Sequence, residues 1–292
     1  MDGANDQVDS NGLFFGGIFS NSKSKKEVQV PTYKKDVFYN TNHKRRGLAV
    51  IFNHENFTIK KLRKRIGTED DCVKLEATLK SMGFVDVKKY KDLTKKELDA
   101  VIGKLSKEDF SDCDCLFIAV LSHGDQGVIY AKDDAYTQNM LIDRFAPDKC
   151  PTLAGKPKIY VIQACQGDKC DPGIEVRTVQ VDSDADNNNN NNDSIYRLPL
   201  YADFLIAYST IPGYFSWRNP SKGSWYIQAL CEELDCHWQD VDFLTILTLV
   251  NRRVAVDFES YVPHDHSMDR KKQIPSFLSM LTRILKFTPK TN

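Results

Sequence analysis

Cys165 and His123 are the residues of this sequence best placed to do covalent chemistry. A thiol is a weak nucleophile at neutral pH until a base or a positive neighbour converts it to thiolate, and histidine is the usual base. Both follow an apolar run of strand length. Cys165 closes the run that opens at Lys158, Lys-Ile-Tyr-Val-Ile-Gln-Ala-Cys, and His123 stands at the polar exit of Asp114-Cys-Leu-Phe-Ile-Ala-Val-Leu-Ser-His. Unbroken apolar runs are the mark of strands buried on both faces, and open α/β sheets place their ligand crevices at the carboxyl ends of such strands. If these two strands are parallel neighbours, the thiol and the imidazole emerge side by side.

The segments around them read as the remainder of such a sheet. Gly47-Leu-Ala-Val-Ile-Phe-Asn53 is a buried strand, Leu62–Thr68 a loop, and Glu69–Met82 carries helical spacing closed by Gly83. Phe84–Tyr90 is a second strand. Thr94–Lys107 is an amphipathic helix, with Thr94 as cap and Glu97 three residues on. After the His123 strand, Gly127–Lys132 suggests a small hairpin and Tyr136–Phe145 a short helix; Asp203–Ser209 resumes the sheet. Two further helices span about 221–234 and 241–258, and Ser279–Phe287 reads as a closing strand, apolar on both faces. Alternation of strand and helix predicts an α/β fold, a mostly parallel sheet with helices on both faces. An exposed apolar strand at the end would be a sticky edge, so pairing across a symmetric dimer contact is expected there.

With 292 residues the chain is long enough for one large domain or two small ones. Forty basic residues balance forty acidic ones, so no electrostatic footprint points to nucleic acid. No apolar run of about 18 residues is present to span a membrane, and the amino terminus lacks the basic segment of a secretory signal. Proteins or peptides are the expected partners, and the cytosol the expected compartment. Eight irregularly spaced cysteines fit a reducing compartment. Cys231, Cys236 and His237 match no zinc-finger spacing, and the cysteines read as buried thiols; no metal or other cofactor is expected.

Two stretches lack any apolar period. Residues 1–45 are rich in Asp, Asn, Ser, Gly and Lys and read as a disordered arm; Lys23, Lys25, Lys26, Lys34 and Lys35 form a loose basic run, read as a solvated tail. The segment from Gln166 to Leu200 holds Asp182-Ser-Asp-Ala-Asp186 and six asparagines, Asn187–Asn192. Structureless segments of such length inside a domain are generally functional or disordered, and this one reads as a protease-accessible linker.

The pentapeptide Gln163-Ala-Cys-Gln-Gly167, with His123 about 40 residues upstream, is the caspase signature. From about Tyr39 to Phe287 the chain resembles a caspase in much else: Phe52-Asn-His-Glu55, Arg65-Ile-Gly-Thr68, Tyr208-Ser-Thr-Ile-Pro-Gly213, Ser216-Trp-Arg-Asn219, Gly223-Ser-Trp225 and Lys272-Gln-Ile-Pro275. The arm is too short for a death-fold recruitment domain, so the likeness is to an executioner caspase with a short prodomain.

The resemblance implies the caspase-like fold, with a central, mostly parallel six-stranded sheet, and an aspartate-specific cysteine endopeptidase of apoptosis. It implies a zymogen divided into a prodomain (1–45), a large subunit (46–184), a linker remnant (185–200) and a small subunit (201–292). Cys165 would attack the scissile carbonyl, His123 would supply and return the proton, and the backbone amides of Gly124 and Cys165 would hold the oxyanion. No third, orienting carboxylate is identified. Arg65, Gln163 and Arg218 would converge on the substrate residue before the cut, a donor-lined pocket suited to Asp. Phe215, Trp217 and Trp225 would line the pockets for the second and fourth residues upstream, while Ser216 and Asn219 would pair with substrate backbone or the fourth-position carboxylate. Expected partners are protein substrates of the Asp-x-x-Asp type, an activating initiator caspase, inhibitor-of-apoptosis proteins and a second copy of the chain.

Self-trimming is expected after Asp9 in Asp6-Gln-Val-Asp9, and the linker cut after Asp184 or Asp186, with Asp184 preferred and Asp193 a third choice. Three rival readings stand beside this one. Metacaspases and paracaspases cut after Arg or Lys and need acidic pocket residues where this chain has Arg65 and Arg218. A catalytically silent caspase relative would need a geometric fault, since the site residues are all present. A nucleotide-binding α/β domain would need a glycine-rich phosphate loop after a strand, which is absent.

Overall fold

Nine consecutive buried residues, Cys113–Leu121, form a strand covered on both faces, and the sheet is built outward from it. The computed structural model describes residues 30–173 and 199–290. Along the chain the elements are β1 (Arg45–Asn53), α1 (Thr68–Ser81), β2 (Asp86–Lys91), α2 (Lys95–Leu105), β3 (Cys113–Leu121), β4 (Gly124–Asp125), β5 (Val128–Tyr130), β6 (Ala135–Tyr136) and α3 (Asn139–Ile142). There follow β7 (Lys158–Gln163), β8 (Phe204–Tyr208), β9 (Arg218–Asn219), β10 (Gly223–Ser224), α4 (Trp225–His237), α5 (Phe243–Asp257) and β11 (Ser276–Ser279).

Six strands form the central sheet in the order β11-β8-β7-β3-β1-β2. The five from β2 to β8 run parallel and β11 is antiparallel to β8, as the alternating pattern predicts. One face buries Leu75, Leu79, Leu230, Leu234, Ile246 and Val250 from α1, α4 and α5. The other buries Leu98, Ile102 and Leu105 of α2 with Leu141 and Ile142 of α3. Thr94 caps α2 in a reciprocal capping box with Glu97, the arrangement its sequence predicts.

Three expectations need correction. The closing strand lies at Ser276–Ser279, upstream of the expected Ser279–Phe287. Beyond it the chain leaves the sheet edge: Leu285 and Phe287 drop into the helix-covered core, Phe243 N–H bonds to Leu285 O, and Ile284 bridges Phe38. That run is apolar because it threads the core beneath α5. Second, the arm joins the fold before residue 45: Tyr39 is buried and donates its hydroxyl to Asp203 at 2.7 Å, and Thr41 bonds to Lys286 O. Third, the small hairpin is a three-stranded sheet, β4-β5-β6, and Tyr136 belongs to it, so the short helix begins at Asn139. Of the cysteines read as buried, Cys72, Cys113, Cys115, Cys150 and Cys231 are so; Cys236 is exposed. Asp9, Asp184, Asp186, Asp193, the lysines at 23, 25 and 26 and the asparagine run lie outside the described residues.

Among the described residues no helix is long and apolar enough to cross a membrane.

Candidate active site

In the β3–β7 pairing Leu121 lies opposite Gln163, so His123 and Cys165 each lie two residues beyond the same level of the sheet. Strand register alone brings the two chemical groups to one crevice. Gly124 follows immediately, and a Cβ there would fall 2.5 Å from the Cys165 carbonyl oxygen. Only a glycine lets the two backbones lie so close. Among the described residues the Cys165 N–H donates to no acceptor.

The imidazole is oriented by a backbone carbonyl. His123 Nε2 lies 2.7 Å from Arg63 O, and since a carbonyl only accepts, Nε2 carries the proton and Nδ1 remains free to act as base. The Phe57 ring packs against His123 with centroids 4.9 Å apart and fixes its plane. Neither partner announced itself in the sequence. A carbonyl has no side-chain signature, and Phe57 sits in a loop without apolar period.

Cys165 Sγ accepts the Ser216 N–H at 3.4 Å and lies 3.8 Å from Ser216 O. Burial pushes this thiol above the ordinary cysteine range, although Ser216, Arg65 and Arg218 pull the other way. Burial, with help from Arg65 and Arg218, also holds His123 below the ordinary histidine range, against the pull of the Arg63 carbonyl. Both shifts favour the neutral thiol and neutral imidazole over the ion pair.

Arg65 has about 1% of its surface exposed. Its Nη1 donates to His54 O at 3.0 Å and to Thr68 Oγ1 at 2.6 Å, while Nε and Nη2 are buried without an acceptor. Burial and the adjacent Arg218 lower its pKa to about 9, so it stays charged at neutral pH. Arg218 is half-buried and spends Nε on Ile66 O at 2.9 Å. Gln163, buried at the end of β7, donates from Nε2 to Ser216 Oγ at 2.7 Å. Orphaned guanidinium donors beside a second cation make a site for an anion.

Trp217 and Trp225 stack with centroids 5.7 Å apart, and Phe258 lies tilted against Trp225 at 5.5 Å. Phe215 stands half-buried in the turn before them and makes no ring contact among the described residues. Asn219 is exposed, and its Oδ1 caps its own turn by accepting from the N–H and hydroxyl of Ser221 and the N–H of Lys222. Gln273 joins two of these segments: Oε1 accepts the Trp217 N–H at 2.6 Å and Nε2 donates to Ser209 O at 2.7 Å. Its motif was visible in the sequence; its positioning role was not. Gly167 meets Gly213 so closely that a Cβ would lie 2.5 Å from Gly213 backbone atoms. This contact lets Gln166–Lys169 zip onto Gly213–Phe215 through four backbone hydrogen bonds, including Gln166 N–H to Tyr214 O and Phe215 N–H to Lys169 O.

The Caspase domain model matches residues 46–286. Caspase-1 of Spodoptera frugiperda is 47% identical over 274 residues, covering 94% of this chain and 89% of that protein. Caspase drICE of Drosophila melanogaster is 45% identical over 271 residues, 93% of this chain and 78% of its own length. Caspase-3 of Mesocricetus auratus is 40% identical over 253 residues, covering 86% of this chain and 87% of that one. The crystal structure of caspase-1 from Spodoptera frugiperda superimposes with a TM-score of 0.84 at 46% identity, over 91% of this chain and 99% of that one.

The neutral ground state has a measurable consequence. Alkylation of Cys165 by iodoacetamide, followed on its own peptide by mass spectrometry, is expected to keep accelerating from about pH 6 to above about pH 9, because a raised thiol pKa moves thiolate formation upward. A rate already level below pH 7 would mean that thiolate and imidazolium coexist.

Proposed function

Since the chain belongs to the caspase family, whose members cut peptide bonds after Asp with a cysteine thiol, we propose that Cys165, His123 and the Arg65–Arg218 pocket carry this activity here. It is an aspartate-specific cysteine endopeptidase of the executioner type, acting in apoptosis. The assignment of residues rests above all on the two buried Arg65 donors left without an acceptor beside Arg218.

A substrate Asp carboxylate supplies the missing acceptors. An Asn would leave buried charge unpaired, at a cost of several kcal/mol by analogy with broken buried ion pairs, and a Glu overfills the pocket by one methylene. With the carboxylate seated, the Cys165 sulfur attacks the scissile carbonyl while its proton passes to His123 Nδ1. Charge gathers on the carbonyl oxygen, opposite the Gly124 and Cys165 N–H groups; a preorganised donor of this kind lowers a barrier by about 3 kcal/mol. His123 then protonates the departing amine, leaving a thioester. Water attacks that thioester, gives its proton to His123, and the thiol is restored. The Arg63 carbonyl holds the imidazole throughout and stabilises the proton on Nε2, in the place a carboxylate takes in other triads. The stacked Trp217 and Trp225, with Phe258 tilted against them, line the pockets for residues further upstream, with Phe215 at their rim and Ser216 and Asn219 serving the substrate backbone or fourth-position carboxylate.

The chain is made as a cytoplasmic zymogen with its subunits at 46–184 and 201–292, activated by an initiator caspase and restrained by inhibitor-of-apoptosis proteins. It pairs as a homodimer along the outer edge of β11. Supporting this, Leu278 is about half exposed on that edge, and Phe277 and Leu278 line a cavity of about 570 Å³ with Ile162, Tyr208 and Pro212.

Purified protein is expected to cleave Asp-x-x-Asp tetrapeptides and, at rates at least about a hundredfold lower, versions ending in Asn, Glu or Arg; Cys165→Ala should abolish cleavage. Cleavage after Arg would sink the pocket assignment, and an inactive protein after the linker is cut would favour a silent regulator. Processing is expected to yield an amino terminus at Ser10 and a large subunit ending at Asp184. Intact masses ending at Asp186 or Asp193 instead would move the cut site, and an uncut arm would remove Asp9 from the scheme.

A further inference from the structure

Arg65 and Arg218 set two positive charges side by side, and Arg218 depresses the Arg65 pKa. Neither guanidinium hydrogen-bonds to a carboxylate among the described residues: Arg65 uses the His54 carbonyl and the Thr68 hydroxyl, and Arg218 the Ile66 carbonyl. Yet one carboxylate, that of Asp71, acts favourably on both.

The fold fixes Asp71 between the two arginine anchors. Along the first turn of α1 it follows Thr68, the hydroxyl that receives Arg65. Across the β9–β10 hairpin it is tied to Ser224, the cross-strand partner of Arg218: Oδ1 accepts the Ser224 N–H at 2.7 Å and Oδ2 the Ser224 hydroxyl at 2.5 Å. Gln228 Nε2 adds a third donor at 3.3 Å, and the side chain has no exposed surface. All three donors are neutral, so no ion pair cancels the carboxylate where it sits. Burial raises its pKa, while the Ser224 and Gln228 hydrogen bonds and the Arg65 charge pull it back toward the ionised form. Its oxygens are held by Ser224 and Gln228 rather than by the guanidiniums, and it acts on them through space in an interior where Coulomb terms exceed those in water.

We propose that Asp71 is the internal counter-anion of the pocket, a specificity-determining residue that leaves the two guanidiniums with one uncompensated positive charge. One unbalanced charge suits a substrate side chain with one carboxylate. The inference rests on the reading that Arg65 and Arg218 receive that carboxylate.

Asp71→Asn keeps the shape and an acceptor for Ser224 while removing the charge, so the pocket gains a second uncompensated positive charge. KM for an Asp-x-x-Asp tetrapeptide is expected to fall about three- to tenfold with kcat within about twofold of the parent. Gln228→Lys, at a half-buried position touching Asp71, offsets the same charge without altering Asp71 and is expected to lower KM in the same direction. Ser224→Ala removes one hydrogen bond but keeps the charge and should leave KM within about twofold. On an Arg218→Ala background the gain from Asp71→Asn should shrink below about twofold. An unchanged or raised KM in both folded charge variants, checked by melting temperature, overturns the proposal, as does a matching rise in KM in Asp71→Asn and Ser224→Ala, which marks a purely structural role. If Arg65→Ala and Arg218→Ala still cleave after Asp as well as the parent does, the pocket reading fails whatever Asp71 does.

Discussion

Parallel register between β3 and β7 is the constraint on which the rest of the site depends. Leu121 opposite Gln163 sets His123 and Cys165 at one height, and the same level of the sheet continues sideways. Asn53 pairs with Leu121, so the chain leaving β1 starts the loop that carries Phe57, Arg63 and Arg65 at that height. Tyr208 pairs with Ile162, so the segment leaving β8 begins beside Gln163 and leads to Ser216, Trp217 and Arg218. A slip of one residue in any of these pairings would turn every strand side chain to the other face of a sheet buried on both sides, so the register is strongly specified. The apolar runs that build the sheet thus also decide where the chemistry meets.

The second constraint is electrostatic. Burying Arg65 is costly, and its position is over-determined by the His54 carbonyl, the Thr68 hydroxyl and, beyond Thr68, Asn53 Oδ1, which accepts the Thr68 hydroxyl at 2.8 Å. Those bonds use one nitrogen and leave two others unsatisfied. In a native interior nearly every buried polar group is paired, and two open donors on one buried guanidinium are what an added acceptor would satisfy. The same positive field lowers the His123 pKa and counters the burial of the Cys165 thiol. One pair of guanidiniums therefore acts on both groups, and in the proposed mechanism a substrate carboxylate seated there would neutralise part of the field and relax the pressure on the imidazole as it accepts a proton.

Much of this was legible in the sequence where local pattern and final structure agree. The runs at Lys158–Gln163 and Cys113–Leu121 are apolar because both faces are covered, and the Thr94–Glu97 cap is a purely local device. Legibility failed where an apolar run served a tertiary purpose. Leu285 and Phe287 alternate as strand residues do, but they fill the core next to Phe243, and the edge strand falls on the less regular Ser276–Ser279. It failed again where positioning is done by backbone or by distant pairing: the Arg63 carbonyl on His123, the Gln273 amide linking Ser209 to Trp217, and Asp71, which looks like one acid among three at a helix start. Glu69 and Asp70 beside it are exposed, and only the helix's orientation against β10 separates Asp71 from them.

A cut between residues 174 and 198 also has a defined physical meaning. The strands that flank it, β7 and β8, pair in parallel over Lys158–Ile162 and Phe204–Tyr208, in the middle of the sheet. On the same side as Cys165, the segment before the cut is zipped to the segment after it at Lys169–Tyr214 and Asp171–Lys272. Helices α1 and α4, from either side of the cut, pack into one core. None of these pairings and contacts among the described residues runs through the covalent link, so two chains would stay together as one sheet.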